Sequence, residues 1–234
     1  MHKTQIPQSV IDQITKKRGK RHVFDDLDPT STALLVVDLQ NGYMLKGVAH
    51  ALMEGAIEIV PNVNRIAAAF RQCGGSVFWL GKIVTAESLK GWSVHHELLC
   101  RPEHRNGKIE TMREGGEGHK FWHDLDIKPN DQIVYKTRYS AFAQDASNLE
   151  SKLRARGIDT VVIVGTSTCG CCDSTARDAM MRNLKTIMIS DATATRTDEQ
   201  HNAALTAFYR HFGDVMTTDE LIGYIHANAK TTAA

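Results

Sequence analysis

Runs of apolar residues alternate along the chain with stretches in which apolar residues recur every three or four positions. The continuous runs are typical of strands that are buried on both faces of a sheet. They predict six strands, at residues 32–40, 76–81, 131–136, 159–165, 185–191 and 214–218. The periodic stretches predict helices at residues 55–75, 145–157, 172–183, 197–213 and 219–229. In the first of these, Pro61 favours a helix start at that residue.

Strands that alternate with helices imply right-handed crossovers, which place helices on both faces of a parallel sheet. The sequence therefore predicts an α/β fold, three-layer αβα and Rossmann-like, with a six-stranded mostly parallel sheet. A chain of 234 residues is long enough for one large core. We expect residues 1–234 to form a single domain, with residues 1–30 as an N-terminal arm.

Residues 81–128 show no clear periodicity and hold two of the three tryptophans. A connection of this length in an α/β domain is usually a functional or an interface element. His95 and His96 lie there, but adjacent side chains point in different directions and make a poor chelating pair. We therefore expect no metal site.

Composition and charge narrow the classes of partner. Charged residues make up 24% of the chain and the net charge is +1, so no global field favours nucleic acid or an anionic membrane. The basic run at residues 16–22 could bind either, but a solvated face of the N-terminal arm is the favoured interpretation. No apolar run is long enough to span a bilayer, and no secretory signal precedes the five cysteines, which predicts reduced thiols and a cytoplasmic location. Cys73 and Cys100 are expected to be buried structural thiols.

Three polar features follow predicted strands. Asp38 ends the first apolar run, Lys136 ends the third, and a cysteine cluster follows the fourth. Ligands of such sheets bind beyond the carboxyl ends of the strands. An acid, a base and a thiol are therefore expected to meet at one edge of the sheet.

The cluster comprises Cys169, Cys171 and Cys172. Its Cys-x-Cys-Cys spacing lacks the second pair that a zinc site needs, and a disulfide between neighbours would be strained. Cys172 continues the apolar stripe of the following helix, which predicts that it faces the core. Cys171 falls at the predicted helix start, where the helix dipole would lower the pKa of its thiol. Cys169 lies in the preceding turn, close enough to touch a substrate, although its direction stays open.

The segments "ALLVVDLQNGYM", "KTRYSAF" and "VGTSTCGCCDSTARDA" together resemble the motifs of the isochorismatase-like cysteine hydrolase superfamily, in the family's order. The resemblance implies a catalytic triad of Asp38, Lys136 and Cys171. It also implies that backbone N–H groups, including that of Cys171, form an oxyanion hole beside a non-proline cis peptide bond at Thr166–Ser167.

The motif around the thiol is similar to the branch of N-carbamoylsarcosine amidase, in which an arginine grips the substrate carboxylate. Arg196 occupies the like position, although it could instead pair with Asp198 or Glu199. Arg138 is a second candidate for that role. Phe142, with Ser140, could line the pocket or anchor a loop. The remaining candidates for substrate binding are Tyr43 and Gln40.

These features predict a cysteine amidohydrolase without metal or cofactor, since the metal-binding pattern of nicotinamidases is missing. Its substrate would be a small ureide or monoamide: an N-carbamoyl amino acid, ureidoacrylate, maleamate or a biuret-like compound. Two alternatives stay open, a vinyl-ether hydrolase of the isochorismatase type and a catalytically silent binding member of the fold. Family members are commonly dimers or tetramers, so a homo-oligomer is expected.

Overall fold

A computed structural model describes residues 1–232 and contains one six-stranded sheet in which every strand pair is parallel. Its strands are β1 (Thr32–Val37), β2 (Ser76–Lys82), β3 (Gln132–Lys136), β4 (Thr160–Thr166), β5 (Lys185–Ala194) and β6 (Asp214–Met216). The strand order is β3-β2-β1-β4-β5-β6. The predicted six-stranded α/β fold is confirmed, and the sheet is parallel throughout.

The longer helices are α1 (Gln8–Arg18), α4 (Val60–Gln72), α6 (Pro102–Met112), α8 (Asp173–Met181), α9 (Asp198–His211) and α10 (Thr218–Thr232). Shorter helices are α2 (Asn41–Met44), α3 (Gly55–Glu58), α5 (Ala86–Gly91) and α7 (Leu149–Arg154). The helix predicted over residues 55–75 is divided into α3 and α4, and Pro61 lies in the first turn of α4 as expected.

Alternate residues of β1 face two separate cores, because successive side chains of a strand point to opposite faces. Leu35 and Val37 pack in one core with side chains of α1, α7, α8 and α9. Leu34 and Val36 pack in the other with α4 and α10. The sheet is therefore covered on both faces, as the unbroken apolar runs predict.

The strand order reverses between β1 and β4, and in this class of fold that position forms a crevice at the carboxyl ends of the strands. Gly165, near the end of β4, has φ +110° and lies opposite Val37 of β1. A β-carbon at Gly165 would lie 2.1 Å from the Val37 carbonyl oxygen, so only glycine permits this close approach of the two strands.

The N-terminal residues are packed more tightly than an arm on the surface would be. Val10 and Ile14 of α1 are buried in the core beside α9. Arg18 donates to the Gly213 carbonyl and pairs with Asp214, and the His22 side chain is buried. The basic run at residues 16–22 is thus only partly the solvated face that was expected, because Arg18 fastens the segment to β6 and His22 is buried beside Tyr224 of α10.

Residues 81–128 are more regular than their pattern predicts. They form α5, a π-helical turn at Val94–Leu98, α6 and a 3₁₀ turn at Glu117–His119. The prediction missed α6 because polar residues dominate all sides of this helix, which leaves no continuous apolar stripe. Among the described residues, no helix combines the length and the apolar character that crossing a bilayer requires.

Candidate active site

Asp38 and Lys136 meet at the carboxyl edge of the sheet although β2 lies between β1 and β3, the strands that lead to them. The Lys136 Nζ donates to Asp38 Oδ2 at 2.8 Å, and both side chains are at most 1% exposed. Burial alone would lower the pKa of Lys136, but the charges of Asp38 and Cys171 outweigh burial and raise it. Lys136 is therefore a permanent cation that holds one oxygen of Asp38.

The second oxygen of this carboxylate is free for chemistry. Asp38 Oδ1 is buried and has no hydrogen-bond partner of good geometry among the described residues. Asp38 itself has φ +52°, a left-handed conformation that is uncommon for a residue with a side chain. This backbone turn sends the Asp38 side chain into the cleft rather than into one of the two cores, and an unsatisfied buried acceptor there suits a group that receives protons.

Cys171 lies in a π-helical turn at Thr168–Cys172, directly before α8. Burial and the neighbouring Asp38 raise the pKa of its thiol to about 12, against the smaller opposing effect of Lys136. The expected lowering of this pKa by the helix dipole is therefore wrong. Burial and an adjacent carboxylate both disfavour the thiolate, and α8 begins only after Cys171.

The other two cysteines of the cluster differ as expected. Cys172 is fully buried in the core, which confirms its predicted orientation. Cys169 is exposed, lines the cavity described below and lies with its Sγ 3.3 Å from the Thr195 hydroxyl. The peptide bond between Thr166 and Ser167 is cis, at the position that the resemblance implies.

A cavity of about 480 Å³ opens above Asp38 and Cys171. A wider depression of about 580 Å³ lies between the N-terminal segment and α9, but it contains none of the candidate catalytic side chains. Besides the two named residues, the first cavity is lined by Tyr43, His50, Ala51, Met53, His95, Leu99, Cys100, His104, Lys108, Tyr139, Thr166, Ser167, Cys169 and Gly170. Its size suits a small organic molecule.

Several basic side chains of this region escaped the sequence analysis. Lys108 of α6 lines the cavity, is 6% exposed and lies with its Nζ 2.7 Å from His95 Nε2. Lys82, at the end of β2, is buried beside Lys136, and burial together with that neighbouring charge lowers its pKa to about 7. Only its position at a strand end could have marked Lys82 as a candidate site residue, because a single lysine forms no sequence pattern.

Cys73 and Cys100 are half-buried rather than buried. Cys73 follows the last residue of α4, at the end of the helix. Cys100 belongs to the cavity wall, because the connection over residues 81–128 folds over the carboxyl edge of the sheet. The expectation of two buried structural thiols is therefore wrong.

Of the predicted substrate-binding residues, Tyr43 lines the cavity, and burial raises the pKa of its hydroxyl well above the ordinary value. Gln40 does not bind substrate, because both ends of its side-chain amide already form hydrogen bonds within the protein. Its Nε2 donates to the carbonyls of Lys82 and His119, and its Oε1 accepts from the Lys82 N–H. Gln40 thus joins β2 to the 3₁₀ turn.

Arg138 and Phe142 also lie away from the cavity lining. The Arg138 guanidinium donates to the Gly91 carbonyl and lies over the Trp92 ring, which holds it against α5. Phe142 is buried in the core that contains α8, and the Ser140 hydroxyl accepts from its backbone N–H. Of the two interpretations of this segment, the loop anchor is therefore correct.

Arg196 is exposed and is not among the residues that line the cavity. Among the described residues, neither Asp198 nor Glu199 forms an ion pair with it, and Asp198 pairs with His2 instead. The hydrogen bonds of the two residues that flank Arg196 explain why it lies outside the cavity. Thr195 is fixed by its N–H bond to His2, and the Thr197 side chain caps α9, so the residue between them points to solvent.

Comparisons with known proteins identify the family of the chain. The model of the isochorismatase domain matches residues 32–220. A probable inactive nicotinamidase of Arabidopsis thaliana is 35% identical over 175 residues, which cover 74% of this chain and 85% of the relative. Ureidoacrylate amidohydrolase RutB of Agrobacterium fabrum is 30% identical over 226 residues, covering 88% of this chain and 95% of the relative.

Solved structures show the same similarity in three dimensions. A cysteine hydrolase from Pseudomonas syringae pv. phaseolicola superimposes with a TM-score of 0.74 at 27% identity, covering 87% of this chain and 96% of that one. N-carbamoylsarcosine amidase from Thermoplasma acidophilum gives a TM-score of 0.64 at 28% identity, covering 81% and 97%. With its family match over most of its length and an acid, a lysine and a thiol at one sheet edge, the chain belongs to the isochorismatase family of hydrolases.

Proposed function

We propose that the protein is a cysteine amidohydrolase that releases ammonia from a small ureide or monoamide. The observation that carries the proposal is the buried Asp38. One of its oxygens is held by Lys136 and the other has no partner, and its charge acts on the Cys171 thiol. The similarity to ureidoacrylate amidohydrolase RutB and to N-carbamoylsarcosine amidase supports this substrate class.

In the first half of the reaction, the carboxamide carbon of the substrate lies against the Cys171 sulfur. Asp38 takes the thiol proton as the sulfur attacks that carbon, which suits a thiol whose pKa of about 12 keeps it protonated at rest. Asp38 then gives the proton to the departing nitrogen, and ammonia leaves behind a thioester, or a thiocarbamate when the substrate is a ureide. Lys136 keeps Asp38 oriented and balances its charge throughout.

The negative oxygen of the tetrahedral intermediate needs hydrogen-bond donors. The N–H groups of Gly170 and Cys172 already donate to the Ser167 carbonyl. Thr166 belongs to the ladder between β4 and β5. This occupancy favours the backbone N–H groups of Ser167 and Cys171 as the oxyanion hole, since both residues line the cavity.

In the second half, Asp38 takes a proton from water, which attacks the acyl carbon and breaks the carbon–sulfur bond. The sulfur recovers its proton, and an acid is released. From an N-carbamoyl compound this acid is a carbamate, which loses carbon dioxide to give the amine. The net reaction consumes one water for each ammonia formed.

The test is ammonia release from a panel of ureides and amides by the wild type and three matched variants. Cys171→Ala should lose at least about a thousandfold in kcat, since both nucleophile and intermediate disappear. Cys169→Ala and Cys172→Ala remove thiols from the same turn and should keep most of the activity. Full activity in Cys171→Ala would contradict the proposal.

A further inference from the structure

The cavity above Cys171 contains more basic than acidic side chains. Asp38 is the only carboxylate among the described residues that line it, and its charge is already balanced by Lys136. The same lining includes Lys108 and three histidines. Burial lowers the pKa of His50 to about 3 and that of His95 to about 4, so these two rings are neutral and Lys108 supplies positive charge to the lining. A cavity whose one acid is already paired suits a substrate that brings its own negative charge.

Among the described residues that line this cavity, Lys108 is the cation without a carboxylate partner. Its Nζ contacts His95 Nε2 at 2.7 Å. Burial lowers the pKa of Lys108, and Asp38 is the one carboxylate among the neighbouring groups that oppose this lowering. Burial lowers the pKa of His95 to about 4, so its ring is neutral and Nε2 accepts. An ammonium group has three N–H donors, and the bond to His95 leaves Lys108 with donors for a ligand.

The neighbours of His95 hold this arrangement in place. The Trp92 ring stacks on His95 with a centroid distance of 4.0 Å and an angle of 21°. On its other nitrogen, His95 Nδ1 lies 3.5 Å from the Tyr139 hydroxyl. His95 is therefore a positioning residue for Lys108.

We propose that Lys108 binds a carboxylate of the substrate whose amide carbon lies at Cys171, so that the substrate is an anionic ureido or amido acid. This inference rests on the proposed function, since it assigns the other end of the same substrate. A buried ammonium without a counter-ion is unfavourable, and an incoming carboxylate would supply a charge-assisted hydrogen bond that water cannot match in this setting. Lys108, and not the exposed Arg196, is then the residue that distinguishes charged from uncharged amides.

The test compares N-carbamoyl-β-alanine with n-propylurea, which has a methyl group in place of the carboxylate. Binding of both is measured by calorimetry in a Cys171→Ala background, so the readout does not depend on turnover. The carboxylated compound should bind more tightly by about 10- to 100-fold, as expected of one charge-assisted hydrogen bond. Lys108→Met should abolish most of this preference, whereas Lys90→Met, at an exposed lysine of α5, should leave it unchanged.

Lys108→Gln serves as a second variant should Lys108→Met fail to fold, because it keeps a donor toward His95 and removes only the charge. Equal binding of the two compounds by the Cys171→Ala protein would overturn the inference, as would an equal effect of Lys108→Met on both. The proposed function fails separately, when no amide yields ammonia in a Cys171-dependent reaction. Hydrolysis of n-propylurea and N-carbamoyl-β-alanine with equal efficiency would refute the role of Lys108. It would leave the proposed cysteine chemistry unaffected.

Discussion

Replacing Asp38 by asparagine should increase ionisation of the Cys171 thiol while abolishing catalysis. In the wild type, burial and then the Asp38 charge raise the pKa of Cys171 to about 12, and Lys136 acts in the opposite direction. Asparagine has nearly the same shape but no charge, so it removes the repulsion between carboxylate and thiolate. It also leaves the Lys136 cation without its counter-ion, and that cation then favours the thiolate unopposed.

The size of the effect follows from Coulomb's law. Two unit charges about 4 Å apart interact by about 4 kcal/mol at an effective dielectric constant near 20. One pKa unit corresponds to about 1.36 kcal/mol, so the pKa of Cys171 should fall from about 12 toward about 9. At pH 10 the thiolate fraction would rise from about one hundredth to a majority, whereas loss of the base should reduce kcat by about 100- to 10,000-fold.

The assay is the ultraviolet absorbance of the thiolate, followed against pH as the difference between each protein and the same protein with Cys171→Ala. This subtraction removes tyrosine ionisation and the other thiols of the cavity. The wild type should show no step up to about pH 10, and Asp38→Asn should show one. An unchanged or higher pKa of Cys171 in Asp38→Asn would refute the view that the carboxylate keeps the resting thiol protonated.

Asp131→Asn is the matched control for this experiment. Asp131 is also a buried acid in an ion pair, with Arg71, and it accepts from the Trp79 indole. It precedes β3, at the opposite end of that strand from Lys136. Both variants should lose stability because both leave a cation without its partner. Only Asp38→Asn should change the titration of Cys171 and the release of ammonia.

Two further predictions concern stability. Burial alone would raise the pKa of Asp131, but its bonds to Arg71, Lys128 and Trp79 lower it, so its stabilisation is present above its unfolded pKa near 3.8 and is lost as pH falls through the folded value. Urea unfolding should therefore show that Asp131→Asn costs about 2 kcal/mol at pH 7 and less near pH 3, below the unfolded pKa, and equal costs at both pH values would contradict this linkage. Gly165→Ala should lower Tm sharply, by more than about 2 kcal/mol in stability, because its β-carbon would meet the Val37 carbonyl at 2.1 Å and φ is +110°. Gly107→Ala in α6 meets nothing within 4 Å and should raise stability slightly, so similar losses in both variants would refute the steric argument.

The fold was predictable because a parallel sheet covered on both faces leaves an unmistakable pattern. The apolar runs locate all six strands, and the rule that ligands bind at strand ends is enough to place Asp38 and Lys136 at one edge of the sheet. This pattern gives the position of a residue along a strand. It gives little information about the direction of side chains in the turns that follow the strands.

The sequence-based predictions failed on the direction of side chains in these turns. Gln40, Arg138 and Arg196 lie in segments with the expected relation to the strands, yet local hydrogen bonds turn each of them from the cavity. Lys108 was missed for a related reason. It lies on a polar helix without an apolar stripe, and only the folding of residues 81–128 over the sheet edge buries it next to His95.

The most direct test of the account is to identify which cysteine carries the acyl group during turnover. Three thiols, of Cys100, Cys169 and Cys171, line the same cavity, so the structure offers real alternatives. The enzyme is mixed with a ureide or amide that it hydrolyses, and the reaction is stopped with acid within the first turnovers. The modified cysteine is then located by peptide mass spectrometry. The account predicts an acyl or carbamoyl adduct on Cys171, and none on Cys171→Ala. An adduct on Cys169 or Cys100 during ammonia release, or undiminished release by Cys171→Ala, would contradict it.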